Sequence, residues 1–150
     1  MKKINLLLIL FTIIFQGCKD DDECNQLCFT PPQAFQFEII DKESGENLFT
    51  NGTFDSNEIT ITDNLNNNES IEFSFISENN INLIQIGSIG WATEIVNLKI
   101  DISDNHIFNF YVDAERIEDC CSYTEYNEIN LTDSEFELNS QTGIYKILVE

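Results

Sequence analysis

Among the side chains of this 150-residue chain that could do chemistry are its cysteines, histidine, tryptophan and carboxylates, and the cysteines are the most constrained by spacing. There are five: Cys18, Cys24, Cys28, Cys120 and Cys121. With Cys18 set aside the remainder is an even set, a Cys24-x3-Cys28 pair and a vicinal Cys120-Cys121 pair, which allows three pairings. A bridge between the two adjacent residues would close a strained ring. The favoured arrangement is therefore two cross-links running from Cys24 and Cys28 to Cys120 and Cys121. Each would close a loop of about 100 residues, for which chain entropy gives about 4 to 5 kcal/mol. Adjacent residues of a regular strand point to opposite faces, so two such bridges need a turn or bulge at Cys120-Cys121. Asp119 and Ser122, both turn-compatible, flank that pair, and the bridged partners should have Cα atoms roughly 4.4 to 6.8 Å apart. A zinc site made of all four thiolates is the competing reading, although the spacing is not the usual C-x2-C.

His106 is the only histidine, so any Ser-His or Cys-His mechanism must run through it. It follows Asp104-Asn105 at the start of an expected strand, where an exposed turn residue is the ordinary outcome. The 27 carboxylates will place some pairs at glycosidase-like separations by chance alone, so their abundance singles out none of them. Calcium is the cation that so acidic a surface would favour, yet Asp63 to Glu69 lacks the alternating ligands and central glycine of an EF-hand loop. No dedicated metal site or cofactor is expected. The single tryptophan, Trp91, lies between Gly90 and Ala92. It is expected in the core; the functional alternative is an exposed stacking platform for a ligand, which Tyr111, Tyr123 and Tyr126 could join. No Walker loop, GxGxxG or GxSxG occurs.

The elements that carry these residues follow an export leader. Lys2 and Lys3 precede a run from Leu6 to Phe15 that is apolar except for Thr12, the charged and hydrophobic regions of a signal peptide. The run is too short to span a bilayer as a helix, which takes about 20 residues. It ends in Phe15-Gln16-Gly17-Cys18, and Gly-Cys directly after the apolar run resembles the lipobox of bacterial lipoproteins, with Phe15 in place of the usual Leu. The resemblance implies that residues 1–17 are removed and that Cys18 becomes a lipidated N-terminus. Two or three acyl chains make a lasting anchor, at about 0.8 kcal/mol per buried methylene. Residues 18–23 then form a tether. Lys19-Asp20-Asp21-Asp22-Glu23 is similar to the surface-export signal of Bacteroidota lipoproteins and implies display on the cell exterior; read by charge alone, it is an extended spacer. Cys28-Phe29-Thr30-Pro31-Pro32 is also similar to small flavobacterial lipoproteins, a group from which no activity transfers.

Residues 24–150 read as a single β domain. Phe35, Phe37 and Ile39 alternate with Gln36 and Glu38, and the same period recurs at Ile59 and Ile61, at Ile71, Phe73 and Phe75, at Leu98, Ile100 and Ile102, and at Phe108, Phe110 and Val112, before Ile144 to Val149. One face of each segment is buried and the other wetted. Ser44-Gly45, Asn51-Gly52, Asp63 to Asn68, Glu78 to Asn80, Asp104-Asn105 and Thr142-Gly143 supply the turns. Ala114 to Cys120 has room for one helical turn. The pattern predicts an antiparallel β-sandwich of about seven to nine strands, with a small closed β-barrel as the alternative. Ile40 to Phe49 is similar to the opening hairpin of prealbumin-like sandwiches, which implies a strand, a turn and a second strand there.

A formal charge of −20 without a basic stripe argues against a nucleic-acid partner. The 42% apolar content argues against disorder. The expected function is a non-enzymatic binding or structural module held in the outer membrane by its lipid, with membrane proteins or glycans as partners. The rival is a small surface hydrolase that uses carboxylates on a glycan, which would require acids and aromatics to converge in one concave pocket.

Overall fold

The computed structural model describes residues 28–78 and 81–150. Within them the chain forms eleven strands: β1 (Cys28–Phe29), β2 (Phe35–Asp41), β3 (Ile59–Asp63), β4 (Glu69–Ser70), β5 (Ser74–Glu78), β6 (Ile81–Ile86), β7 (Glu94–Ile102), β8 (Asn105–Ile117), β9 (Cys121–Thr132), β10 (Glu135–Leu138) and β11 (Ile144–Val149). They make two open sheets, one ordered β1-β9-β8-β7-β3-β4 and the other β10-β11-β2-β6-β5. The fold is a β-sandwich and not a closed barrel. Among the described residues no helix is long and apolar enough to cross a membrane.

The core arises from the alternation. Phe35, Phe37 and Ile39 of β2 turn one face inward, and Phe108, Phe110 and Val112 of β8 meet them from the other sheet. Phe37 is fully buried, with ring centroids 5.1 Å from Phe108, 5.0 Å from Phe110 and 5.5 Å from Tyr145. The contacts are tilted, edge-on and stacked in turn, arrangements that suit the aromatic quadrupole when the stacked pair is offset. Ile59 and Ile61 of β3 pair with Ile102 and Ile100 of β7, which continues the apolar layer.

Four expectations are corrected. The sheets are mixed, because β1 runs parallel to β9 and β11 parallel to β2, and the strands outnumber the nine expected at most. Residues 114–120 hold no helical turn; β8 continues to Ile117 and a bend follows. The helical turn that does form is a short 3-10 segment, Ser56–Glu58, capped by Asp55, whose Oδ1 accepts from the Asn57 amide at 2.9 Å. The hairpin at Ile40 has no second strand. Asn47 makes a single bridge to Ile40, and its Oδ1 then accepts from the amides of Phe49 and Thr50, which bends the chain away. Such local side-chain bonds compete with a ladder.

Asp63 is the buried charged residue at the end of β3. Its Oδ1 accepts from the amides of Leu65 and Asn97, each at 3.0 Å, so the Asp63 carboxylate closes the turn after β3 and ties it to β7. Asp63→Ala would leave both donors unsatisfied and is expected to cost about 1 to 3 kcal/mol; Asp63→Asn keeps an acceptor and should cost less. Denaturant midpoints of the two variants check this.

Candidate aromatic binding site at the disulfide end of the sandwich

The hairpin of β8 and β9 brings the far half of the sequence to the start of the fold. Cys28 and Cys121 are register partners of β1 and β9 and are joined by a disulfide with Cα atoms 4.4 Å apart. Cys120 is disulfide-bonded as well. Cys24, expected as its partner, lies outside the described residues. The required break is present: Cys120 sits in a bend where its amide donates to Asp119 Oδ1 at 2.7 Å, and the regular strand begins at Cys121. A cross-link at Cys28 and Cys121 replaces the zinc reading. Cys18 and the run Lys19, Asp20, Asp21, Asp22 and Glu23 also lie outside the described residues.

The bridge places Phe29, whose ring stacks on Trp91 with centroids 6.0 Å apart and planes 27° from parallel. Phe29 is 58% exposed and Trp91 55%, so Trp91 is on the surface and not in the core as expected. The indole is fixed from below: Nε1 donates to the Gly87 carbonyl at 2.8 Å, which leaves the ring's outer surface for stacking. Arg116 of β8 holds the other ring. Its guanidinium carbon stands 4.9 Å from the Phe29 centroid, while Nη1 donates to Thr30 O at 3.1 Å and Thr124 Oγ1 at 3.0 Å. A guanidinium over an aromatic face is attractive and, here, also pins the backbone after Phe29.

The loop that carries Trp91 is anchored at Gly90. The Gly90 amide donates to Glu94 Oε1 at 2.6 Å, and its carbonyl accepts from Thr124 Oγ1 at 2.6 Å. Gly90 has φ +91°, and a Cβ there would lie 2.8 Å from Thr124 Cγ2 and 3.0 Å from Tyr126 Oη. Only glycine fits this approach. Gly90→Ala is expected to cost about 1 to 3 kcal/mol and to shift the Trp91 emission, whereas Gly87→Ala, with open space around it, should stay within about 0.5 kcal/mol. Thermal melts followed by tryptophan fluorescence read both effects.

The tyrosines separate by strand period. Tyr126 faces inward below Gly90 and packs edge-on against Phe35, with centroids 5.5 Å apart; burial pushes its hydroxyl pKa up. Tyr111 and Tyr123 lie on the outer face of the sheet, away from Trp91. The residues that complete the platform are Phe29 and Arg116. The sequence marks Phe29 only by its place after a half-cystine, and nothing local marks Arg116.

His106 lies at the opposite end of β8. At about 3.3 Å per residue it is roughly 33 Å from Arg116. Its Nδ1 is 2.9 Å from Asp101 Oδ1 and its Nε2 3.3 Å from Asp133 Oδ2. Burial opposes the charge on Asp101, but hydrogen bonds from Lys99 and His106 outweigh it and hold the carboxyl below its ordinary value. A groove of about 500 Å³ is lined there by Lys42, His106, Asp133, Ser134, Glu135 and Glu150 among others. The exposed Trp91 platform and this carboxylate-rich groove are therefore separate. Among the described residues no grouping of three or more His, Cys, Asp or Glu side chains is placed to hold a metal ion, and Asp63, in the segment weighed for calcium, is engaged by backbone amides.

Compared with protein-family models, curated proteins and solved structures, the chain finds no match.

Proposed function

We propose that the protein is a lipid-anchored lipoprotein of the outer membrane, displayed on the cell surface, whose sandwich binds a glycan on the Phe29–Trp91 platform without chemical turnover. The observation that carries the binding role is the exposed Trp91 ring, stacked on Phe29 and locked through Nε1. An ordered, water-facing aromatic pair costs conformational entropy and leaves apolar area exposed, and it offers flat faces to the C–H surfaces of a sugar ring. The lipobox at Cys18 supports the anchor and the Lys19 to Glu23 run supports display. A carboxylate hydrolase would draw on the groove beside His106, whose lining among the described residues includes no Phe, Tyr or Trp.

The test uses intact cells. Wild-type protein should stay with the membrane, be cut by external protease and retain labelled cell-surface polysaccharide. Cys18→Ala should abolish membrane retention, Asp20, Asp21 and Asp22 to Ala should lower protease access, and Trp91→Ala should remove polysaccharide retention alone. Unchanged retention in Trp91→Ala cells would reject the platform, and a processed Cys18→Ala product that stays with the membrane would reject the anchor.

A further inference from the structure

Among the described residues the outer edge of β9 is open over most of its length. β1 covers it only at Cys121 and Ser122, and among the described residues no strand pairs with residues 124–131 on that side. Asp133 and Ser134 alone link β9 to β10, which is itself the edge strand of the other sheet. Both sheets thus end on one flank.

The two faces of this edge differ. Inward, Ile129 is opposite Val112 and 36% exposed. Across the seam, Phe136 and Leu138 of β10 are register partners of buried Ile147 and Tyr145, yet stand 44% and 51% exposed. These side chains lie on the core side and are only partly covered, Phe136 by the Tyr145 ring with centroids 6.1 Å apart. Outward, Glu125 is opposite Glu115 and Glu128 opposite Asp113. Carboxylates directly opposed across strands repel, and none of the four takes part in an ion pair among the described residues.

β9 carries a bulge at Asn127, which puts Glu125 and Glu128 on one face. A strand added beside it would send alternate side chains to these two faces on either side of the bulge. Inward positions would meet Ile129, Phe136 and Leu138, and outward positions would stand beside Glu125 and Glu128, where a cation relieves the repulsion. A second copy would bring more carboxylate from a chain of charge −20, and charged edges of this kind block self-pairing. We propose that residues 124–131 of β9 receive, by strand addition, an extended segment of a partner protein in which Lys or Arg alternates with apolar residues.

The experiment uses the full chain in neutral detergent and a fluorescent octapeptide of alternating Lys and Val, with anisotropy as the readout. The alternating peptide should bind at least tenfold more tightly than a peptide of the same composition with its lysines and valines in separate blocks. Ile129→Ser combined with Phe136→Ser should weaken it tenfold or more, while Leu65→Ser, exposed elsewhere, should not. Glu125→Lys with Glu128→Lys should reverse the preference toward an alternating Glu and Val peptide, and circular dichroism confirms that each variant is folded. No binding, equal binding of the two lysine peptides, or no reversal would overturn the proposal. So would a concentration-dependent dimer that the peptide fails to dissociate, which would assign the edge to a second copy.

Discussion

Replacing Cys28 and Cys121 by Ser is expected to lower the stability of the sandwich by about 2 to 5 kcal/mol and to loosen the Phe29–Trp91 pair. The two residues are 93 apart in sequence, so the bridge removes a long loop's freedom from the unfolded chain. Its local effect is as large. β1 has two residues, and their ladder bonds contribute about 1 kcal/mol each against about 1 to 2 kcal/mol per residue of backbone ordering. Without the cross-link the strand keeps its few ladder bonds, the Arg116 contacts to Phe29 and Thr30 and the disulfide at Cys120, and Phe29 is expected to be held more loosely. The denaturation midpoint should fall, and the emission of Trp91, the only tryptophan, should change in the native baseline before unfolding begins. An unaltered midpoint together with an unaltered baseline would show that the backbone holds β1 by itself.

Phe37→Ala is expected to be the most damaging single substitution in the core, at about 3 to 5 kcal/mol. Phe37 is fully buried and central to a ring cluster drawn from both sheets, Phe108 and Phe110 from β8 and Tyr145 from β11. Truncation removes the contacts that join the two layers, and three neighbouring rings cannot close the gap without leaving their rotamers. The melting temperature should fall by roughly 10 to 20 °C. Phe49→Ala, in the partly buried cluster with Phe54 and Phe75, should cost less, and calorimetry on the pair ranks the two sites.

Strands β2, β3, β7, β8 and β11 were legible because each buries one face continuously, which writes period 2 into the residues. β6 was not, since Leu83 and Ile84 are adjacent and both buried. β9 and β10 escaped notice for the opposite reason: they flank an open seam, so inward positions such as Ile129 and Phe136 are solvated and the contrast between faces is weak. Ile71 and Phe73 carry the alternation but precede β5, packing partly against the core as irregular chain. Parallel pairing of β1 with β9 and of β2 with β11 depends on which segments meet and leaves no local trace.

The platform shows the same division. Cysteine arithmetic points to cross-links from Cys24 and Cys28 to Cys120 and Cys121 without fixing which joins which, and the bridge from Cys28 to Cys121 is of that kind. The exposure of Trp91 is not legible in the sequence, because a lone tryptophan among small residues is usually a core residue. Gly90 is needed for close approach to Thr124 and Tyr126, so its presence beside Trp91 reflects loop anchoring and not burial of the indole. Phe29 and Arg116 join Trp91 only through the strand register that sets β1 beside β9 and Thr124 beside Arg116.

Titration of the purified protein with neutral oligosaccharides, followed by the emission of Trp91, tests the platform most directly. A saturable change in Trp91 emission with at least one oligosaccharide, abolished by Phe29→Ala in a protein that melts at nearly the wild-type temperature, is the predicted result. Emission that stays constant at millimolar concentrations of every oligosaccharide tried, or that changes equally in the Phe29→Ala protein, would contradict it.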